Sequence, residues 1–172
     1  MLAQDIFNEC ISTPVQASAQ QSYLPAVSWK TLPIAQLHNF ESVNRQFAPF
    51  GVRFDDTIAL YPSNPRFSLP NCPIVLMPKG RCKGCKIHLQ DAVSAIDLGL
   101  IGSKQITISA LDDKGYCVAV AQTEAISPVA VKQVYPEQFV RLQAGNAKTL
   151  RLEAKAPFVM THFSFETTTR SI

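Results

Sequence analysis

From Val27 onward the chain is a succession of short apolar runs, each shorter than a typical helix and set off by Pro, Gly, Asn or Asp. This pattern predicts strands at Phe50 to Phe54, Thr57 to Tyr61, Ile74 to Met77, Cys85 to Gln90, Ala95 to Ile101 and Gln105 to Leu111. Further strands are expected at Tyr116 to Thr123, Val129 to Tyr135, Gln138 to Leu142, Thr149 to Glu153 and Phe158 to Phe165. Alternation is clearest in Lys86-Ile-His-Leu-Gln90 and Gln105-Ile-Thr-Ile-Ser109, where every second side chain is apolar and faces one side of a sheet. In the first of these, His88 shares the outward face with Lys86 and Gln90, opposite Ile87 and Leu89. Asp112-Asp-Lys-Gly115 separates two such runs, and its glycine supplies the positive φ of a hairpin return, so Ile106 to Val120 is read as a hairpin. Many closely spaced strands without intervening helical segments predict an all-β chain, an antiparallel β-sandwich rather than a parallel α/β sheet.

The start of the chain differs. Leu2, Ile6 and Cys10 recur every four residues, which predicts a short amphipathic helix over 1–11, ended by Thr13-Pro14. Such a helix is marginal alone and either docks on its own domain or acts as an arm that orders on a partner. The small polar stretch Gln16 to Ser22 reads as a linker, giving an arm and linker over 1–26 and a sandwich domain over 27–172. At 172 residues one such domain is expected. Every apolar stretch is interrupted well before the roughly 20 residues that a membrane-spanning helix needs. A formal charge of +3 is too small to indicate a dedicated nucleic-acid binder.

Several segments, in order, carry a family resemblance: Phe40-Glu41, Gly51-Val-Arg-Phe54, Ala59-Leu-Tyr-Pro-Ser-Asn-Pro65, Ile106 to Gly115, and Ala156-Pro-Phe-Val-Met-Thr-His-Phe-Ser-Phe165. Through them the chain resembles the jelly-roll-like β-sandwich modules of bacterial, especially cyanobacterial, cell-surface proteins with PEP-CTERM anchors. The resemblance implies a noncatalytic extracellular module. Related carbohydrate-binding sandwiches hold a structural calcium with an acidic residue near each terminus. Glu41 is kept, but Thr161-His162 stand where the family pattern has two Asp, and calcium favours hard carboxylate oxygens. An empty site is therefore expected. The sorting segment of that family is absent after Phe165.

The strongest local anomaly is Cys82-Lys-Gly-Cys85 followed by His88, with Cys72 ten positions upstream. Zinc takes four thiolate or imidazole ligands, so Cys72, Cys82, Cys85 and His88 could form a Cys3His site, with Gly84 allowing the turn between two sulfurs. A disulfide and unligated structural thiols are the other readings, and the unligated one leads because free Cys is often a small buried hydrophobe. Cys117 is expected in the core of its strand and Cys10 on the helix face. No other cofactor is suggested. The five cysteines, an odd number, and the absence of a visible export signal favour a reducing compartment, against the extracellular setting that the resemblance implies.

Lys79, Arg81, Lys83 and Lys86 make a basic turn around this motif, which could meet an acidic partner or be an ordinary solvated surface. Gly80 to Lys86 lacks the spacer and hydroxyl of a phosphate loop, and neither G-x-S-x-G nor H-E-x-x-H occurs. His38, His88 and His162 are too scattered to define a triad. Trp29, Tyr61, Phe67 and Tyr135 are candidate sugar platforms, although aromatic residues of a small sandwich ordinarily fill its core or cover its ends. The expected function is a noncatalytic recognition or assembly module that binds a protein or glycan through its surface. The alternative is a zinc-stabilised adaptor built on Cys82 and Cys85, and an enzyme site would require a deep polar pocket with convergent titratable groups. Metal analysis and thiol counting distinguish the cysteine readings: absence of zinc with five reactive thiols under denaturation leaves only unligated cysteines.

Overall fold

The computed structural model describes residues 26–80, 83–126 and 134–169. The helix expected over 1–11, the linker and most of the strand expected at Val129 to Tyr135 lie outside the described residues, and Val134 and Tyr135 themselves are not in a strand. Ten strands follow one another: β1 (Ala26–Thr31), β2 (Glu41–Val43), β3 (Val52–Asp55), β4 (Thr57–Leu60), β5 (Val75–Pro78), β6 (Gly84–Gly102), β7 (Ile106–Leu111), β8 (Cys117–Gln122), β9 (Gln138–Ala154) and β10 (Phe158–Thr169). All their pairings are antiparallel.

Two of these strands are long enough to serve both layers of a sandwich. The first half of β6 pairs with β3 and with the end of β9, and β7 and β8 continue that layer, with β8 at its edge. The second half of β6 pairs with β10 and with the start of β9, and β5, β4 and β2 extend from β10. β1 lies along the last part of β10, from Ala26 opposite Thr169 to Thr31 opposite Ser164. The β6–β9 ladder shifts register between His88 and Val93 and again before Ala95. Bulges of this kind bend a strand and increase its twist, which lets one strand leave one layer for the next. The sequence pattern divides β6 and β9 into two strands each because alternation is interrupted at these bends.

Alternate residues of both layers meet in one core. Phe54 of β3 and Phe163 of β10 touch across it with ring centroids 6.3 Å apart, and Phe47 and Phe165 extend the aromatic chain at 5.8 Å on either side. Ile87, Ile96, Leu98, Leu100, Ile108 and Leu150 fill the space around them. The expected β7–β8 hairpin is present. Asp112 Oδ1 accepts the backbone N–H groups of Lys114 at 2.9 Å and Tyr116 at 2.8 Å, and Gly115 turns the chain at φ 83°.

A second, smaller core sits outside the sandwich. Val75, Ile101 and Val159 point away from the main core and are covered by the 61–74 loop together with Tyr135. Phe67 and Tyr135 meet edge to face at 5.2 Å, and Tyr135 donates its N–H to the Arg66 carbonyl at 2.8 Å. These two aromatics therefore close one end of the outer face rather than offering a platform on it.

Gly84 shows how tightly β6 and β9 approach. A Cβ there would collide with the Leu152 carbonyl oxygen of β9, so the glycine of the Cys-Lys-Gly-Cys stretch is required by strand packing. Gly84→Ala is expected to destabilise the fold by about 1–3 kcal/mol through overpacking. Phe163→Ala should cost about 3–5 kcal/mol through the cavity it leaves. Chemical denaturation of both variants checks these values.

Candidate functional site

The outer face of the second layer carries the most developed cluster of polar and aromatic groups. Period two places Asp97 of β6 outward in the middle of the apolar run Ala95 to Ile101, directly between its register partners Ser164 on β10 and Arg141 on β9. Arg141 forks onto it, with Nε 2.7 Å from Oδ1 and the terminal nitrogen 2.5 Å from Oδ2. The same guanidinium lies over the Trp29 ring at 5.1 Å from the centroid. Trp29 comes from β1, opposite Glu166, and stays 42% exposed. Arg141 and Trp29 thus belong to strands separated by β10 and β6, three spacings of about 4.8 Å apart, and their long side chains meet across that span.

Beside this group, His162 Nε2 lies 3.1 Å from Ser164 Oγ, and the His162 ring meets Phe139 edge-on at 6.4 Å. Phe139 is 70% exposed. Glu166 receives the Ser94 hydroxyl at 2.7 Å, and the Thr161 hydroxyl donates to Glu137 above Gly99. The result is a braced, open surface with an indole at one side, a phenyl ring at the other, and a row of donors and acceptors between them.

At the centre of this face the charges of Asp97 and Arg141 compensate each other. The Arg141 hydrogen bonds, reinforced by its charge, hold the Asp97 carboxyl below the usual carboxylate range, and the same contact raises Arg141. A lowered carboxyl contributes stability that is complete above the ordinary aspartate value of about 3.9 and disappears as pH falls through the depressed folded value.

The residues singled out around the cysteine motif are dispersed. Cys85 points inward and is buried in the main core, where burial pushes its thiol up to about 12. His88, three residues later, faces out, and its Nε2 meets Asp55 Oδ2 at 2.6 Å. Cys72 sits half-buried in the smaller core, its thiol donating to the Ile74 carbonyl at 3.2 Å and raised by burial. Cys82 and Arg81 lie outside the described residues. The structure does not bring Cys72, Cys85 and His88 together, and among the described residues no three His, Cys, Asp or Glu side chains converge for a metal ion. Cys117, expected inside, is exposed because a register shift in the β7–β8 ladder next to it pairs it with Leu111 on the outward side.

Lys79 donates its backbone N–H to Asp56 at 2.7 Å and its ammonium to Ser42, whereas Lys83 and Lys86 line a cleft at the far end of the first layer. Glu41, retained from the family pattern, has both oxygens engaged: Oε2 accepts from the His38 N–H at 2.8 Å and Oε1 from Gln46 at 2.9 Å. These donors, the His38 N–H foremost, lower its pKa. Thr161 and His162 form the bulge of β10. Asp55, His88 and Thr149 superficially suggest a catalytic triad, but the Thr149 hydroxyl is 3.5 Å from His88 Nδ1, too long for activation in this state.

No family model and no curated protein matches the chain. Solved structures with similar shape include a family 29 carbohydrate-binding module from Piromyces equi, at 9% identity and TM-score 0.47 over 83% of this chain and 91% of that one. The K2 cleaved adhesin domain of Lys-gingipain aligns at 8% identity and TM-score 0.47, over 80% and 99% of the two chains. A family 6 module from Clostridium stercorarium in complex with cellobiose aligns at 14% identity and TM-score 0.39, over 65% and 86%. These likenesses are too distant to transfer a ligand, and none of them carries the PEP-CTERM kinship.

Two measurements check the site. The stability difference between the protein and Asp97→Asn should be present at pH 7 and shrink on acidification below about pH 4, where the carboxylate is protonated. Alkylation at pH 8 followed by peptide mass analysis should modify Cys117 in the native state and reach Cys85 only after denaturation.

Proposed function

We propose that the protein is a noncatalytic glycan-binding module and that the Trp29 face is its binding surface. The observation that carries this reading is the indole held by Arg141, itself forked onto Asp97, in an exposed position beside a row of hydrogen-bonding groups. Sugar rings present C–H faces that pack on aromatic planes and hydroxyls that demand donors and acceptors, so a ligand of this type uses both parts of the face. Because the indole is braced before a ligand arrives, little side-chain freedom is lost on binding. Phe139 supplies a second apolar surface across the row, and His162 and Glu166 supply polar partners within it. The self-compensated Asp97–Arg141 pair suits a neutral ligand, whose hydroxyls can share both partners without adding net charge.

Affinity electrophoresis and calorimetry with soluble neutral polysaccharides, including β-glucans, xylans and galactans, test the proposal. Trp29→Ala is expected to weaken binding by at least about 30-fold, the effect of a central anchoring residue, while leaving the unfolding transition cooperative. Phe139→Ala should weaken it less. Undiminished binding by Trp29→Ala, or no retardation by any of these polymers, rejects the Trp29 face as a neutral-glycan site.

A further inference from the structure

The cleft at the far end of the first layer is chemically the opposite of the Trp29 face. It encloses about 680 Å³ where the beginnings of β6 and β7 meet the end of β9. Lys83, Lys86, Lys104, Arg151 and Lys155 line it. Its two carboxylates are Asp56 and Glu153, and Glu153 already lies 3.3 Å from Arg151. Among the described residues none of the four lysines has a carboxylate within 4.0 Å.

The placement of these charges is unfavourable for the protein alone. Lys86 and Arg151 are direct register partners on neighbouring strands, an arrangement in which like charges repel. On its other side Lys86 is paired in register with Asp55, but that carboxylate is taken by His88 at 2.6 Å. Five cations drawn from β6, β9 and the segments flanking β6, β7 and β9 therefore line one concavity that holds two carboxylates, and of the five only Arg151 is paired with one. Concave walls of low polarisability strengthen the potential such a group projects.

We infer that this cleft binds an acidic polysaccharide through its carboxylate or sulfate groups. An anionic chain neutralises the Lys86–Arg151 repulsion and reaches lysines on separate elements at once. Among the described residues no aromatic side chain lines the cleft, so they offer no stacking surface of the kind by which single-stranded nucleic acids are ordinarily held. A polyanion whose charges hang on sugar rings makes no such demand. The inference stands on residues other than those of the Trp29 face and does not depend on that reading.

The full chain is titrated with oligogalacturonate and with dextran sulfate, alongside uncharged dextran and a single-stranded oligonucleotide. Binding of at least one acidic glycan, weakened by salt, is expected, whereas any binding of uncharged dextran should be insensitive to salt and lost in Trp29→Ala. The double substitution Lys86→Gln with Arg151→Gln should reduce affinity about tenfold or more, as loss of two ligand-facing charges does. Substituting the exposed Lys114 and Arg45 instead, which changes net charge equally elsewhere, should leave affinity within about twofold. Trp29→Ala should also leave it unchanged, which separates this site from the neutral-glycan face. Absence of binding to both acidic glycans, equal losses in the two double variants, or tighter binding of the oligonucleotide would each overturn the inference.

Discussion

The fold depends on β6 and β9 remaining paired while both pass from one layer to the other. Each strand carries alternate apolar residues before and after its bend, so the parity of inward and outward positions has to be re-established across the bulges. When it is, Ile87 and Leu150 face the same core as Leu98 and Leu142. A single-residue slip in either half would turn that half's apolar row toward water. The close approach of Gly84 to Leu152 and the Phe54–Phe163 contact across the layers both follow from this shared pair.

The same construction gives the molecule two unlike surfaces. Asp97, in the second half of β6, is in register with Arg141 near the start of β9, and Lys86, in the first half of β6, is in register with Arg151 near the end of β9. In one layer opposite charges face each other and close into a fork that braces an indole. In the other, like charges face each other and open a basic cleft. The difference arises from which residues the register brings opposite one another, since both surfaces use the same two strands.

Much of the architecture is written in local alternation. Lys86-Ile-His-Leu-Gln90 and the Asp112 to Gly115 turn behave as their patterns require, because period two and a positive-φ glycine are local properties. The three-residue spacing of Cys85 and His88 places them on opposite faces of the sheet, a consequence of pleating that a metal-ligand motif read by spacing alone ignores. β1 and β2 escape the pattern: β1 reads Ala-Val-Ser-Trp-Lys-Thr with both Val27 and Trp29 exposed, and β2 has only three residues. The Trp29 face is less legible still. Trp29 stands out by composition, and Asp97 as a charge within an apolar run, but their connection through Arg141 needs the β6–β9 register, a long-range fact. Phe67 and Tyr135 look like equal candidates to Trp29 until they are seen packed against each other and over Val75, Ile101 and Val159.

Ala26 and Thr169 lie opposite each other, so the polypeptide enters and leaves the described fold at one point. Tension applied through those two ends would act across the β1–β10 ladder as on a zipper, breaking one rung at a time, instead of shearing many rungs together. The fourth rung from the end holds Trp29 opposite Glu166. A pull too weak to disturb the inner strands would therefore lift the indole away from Arg141, making the aromatic platform the first part of the molecule to respond to load.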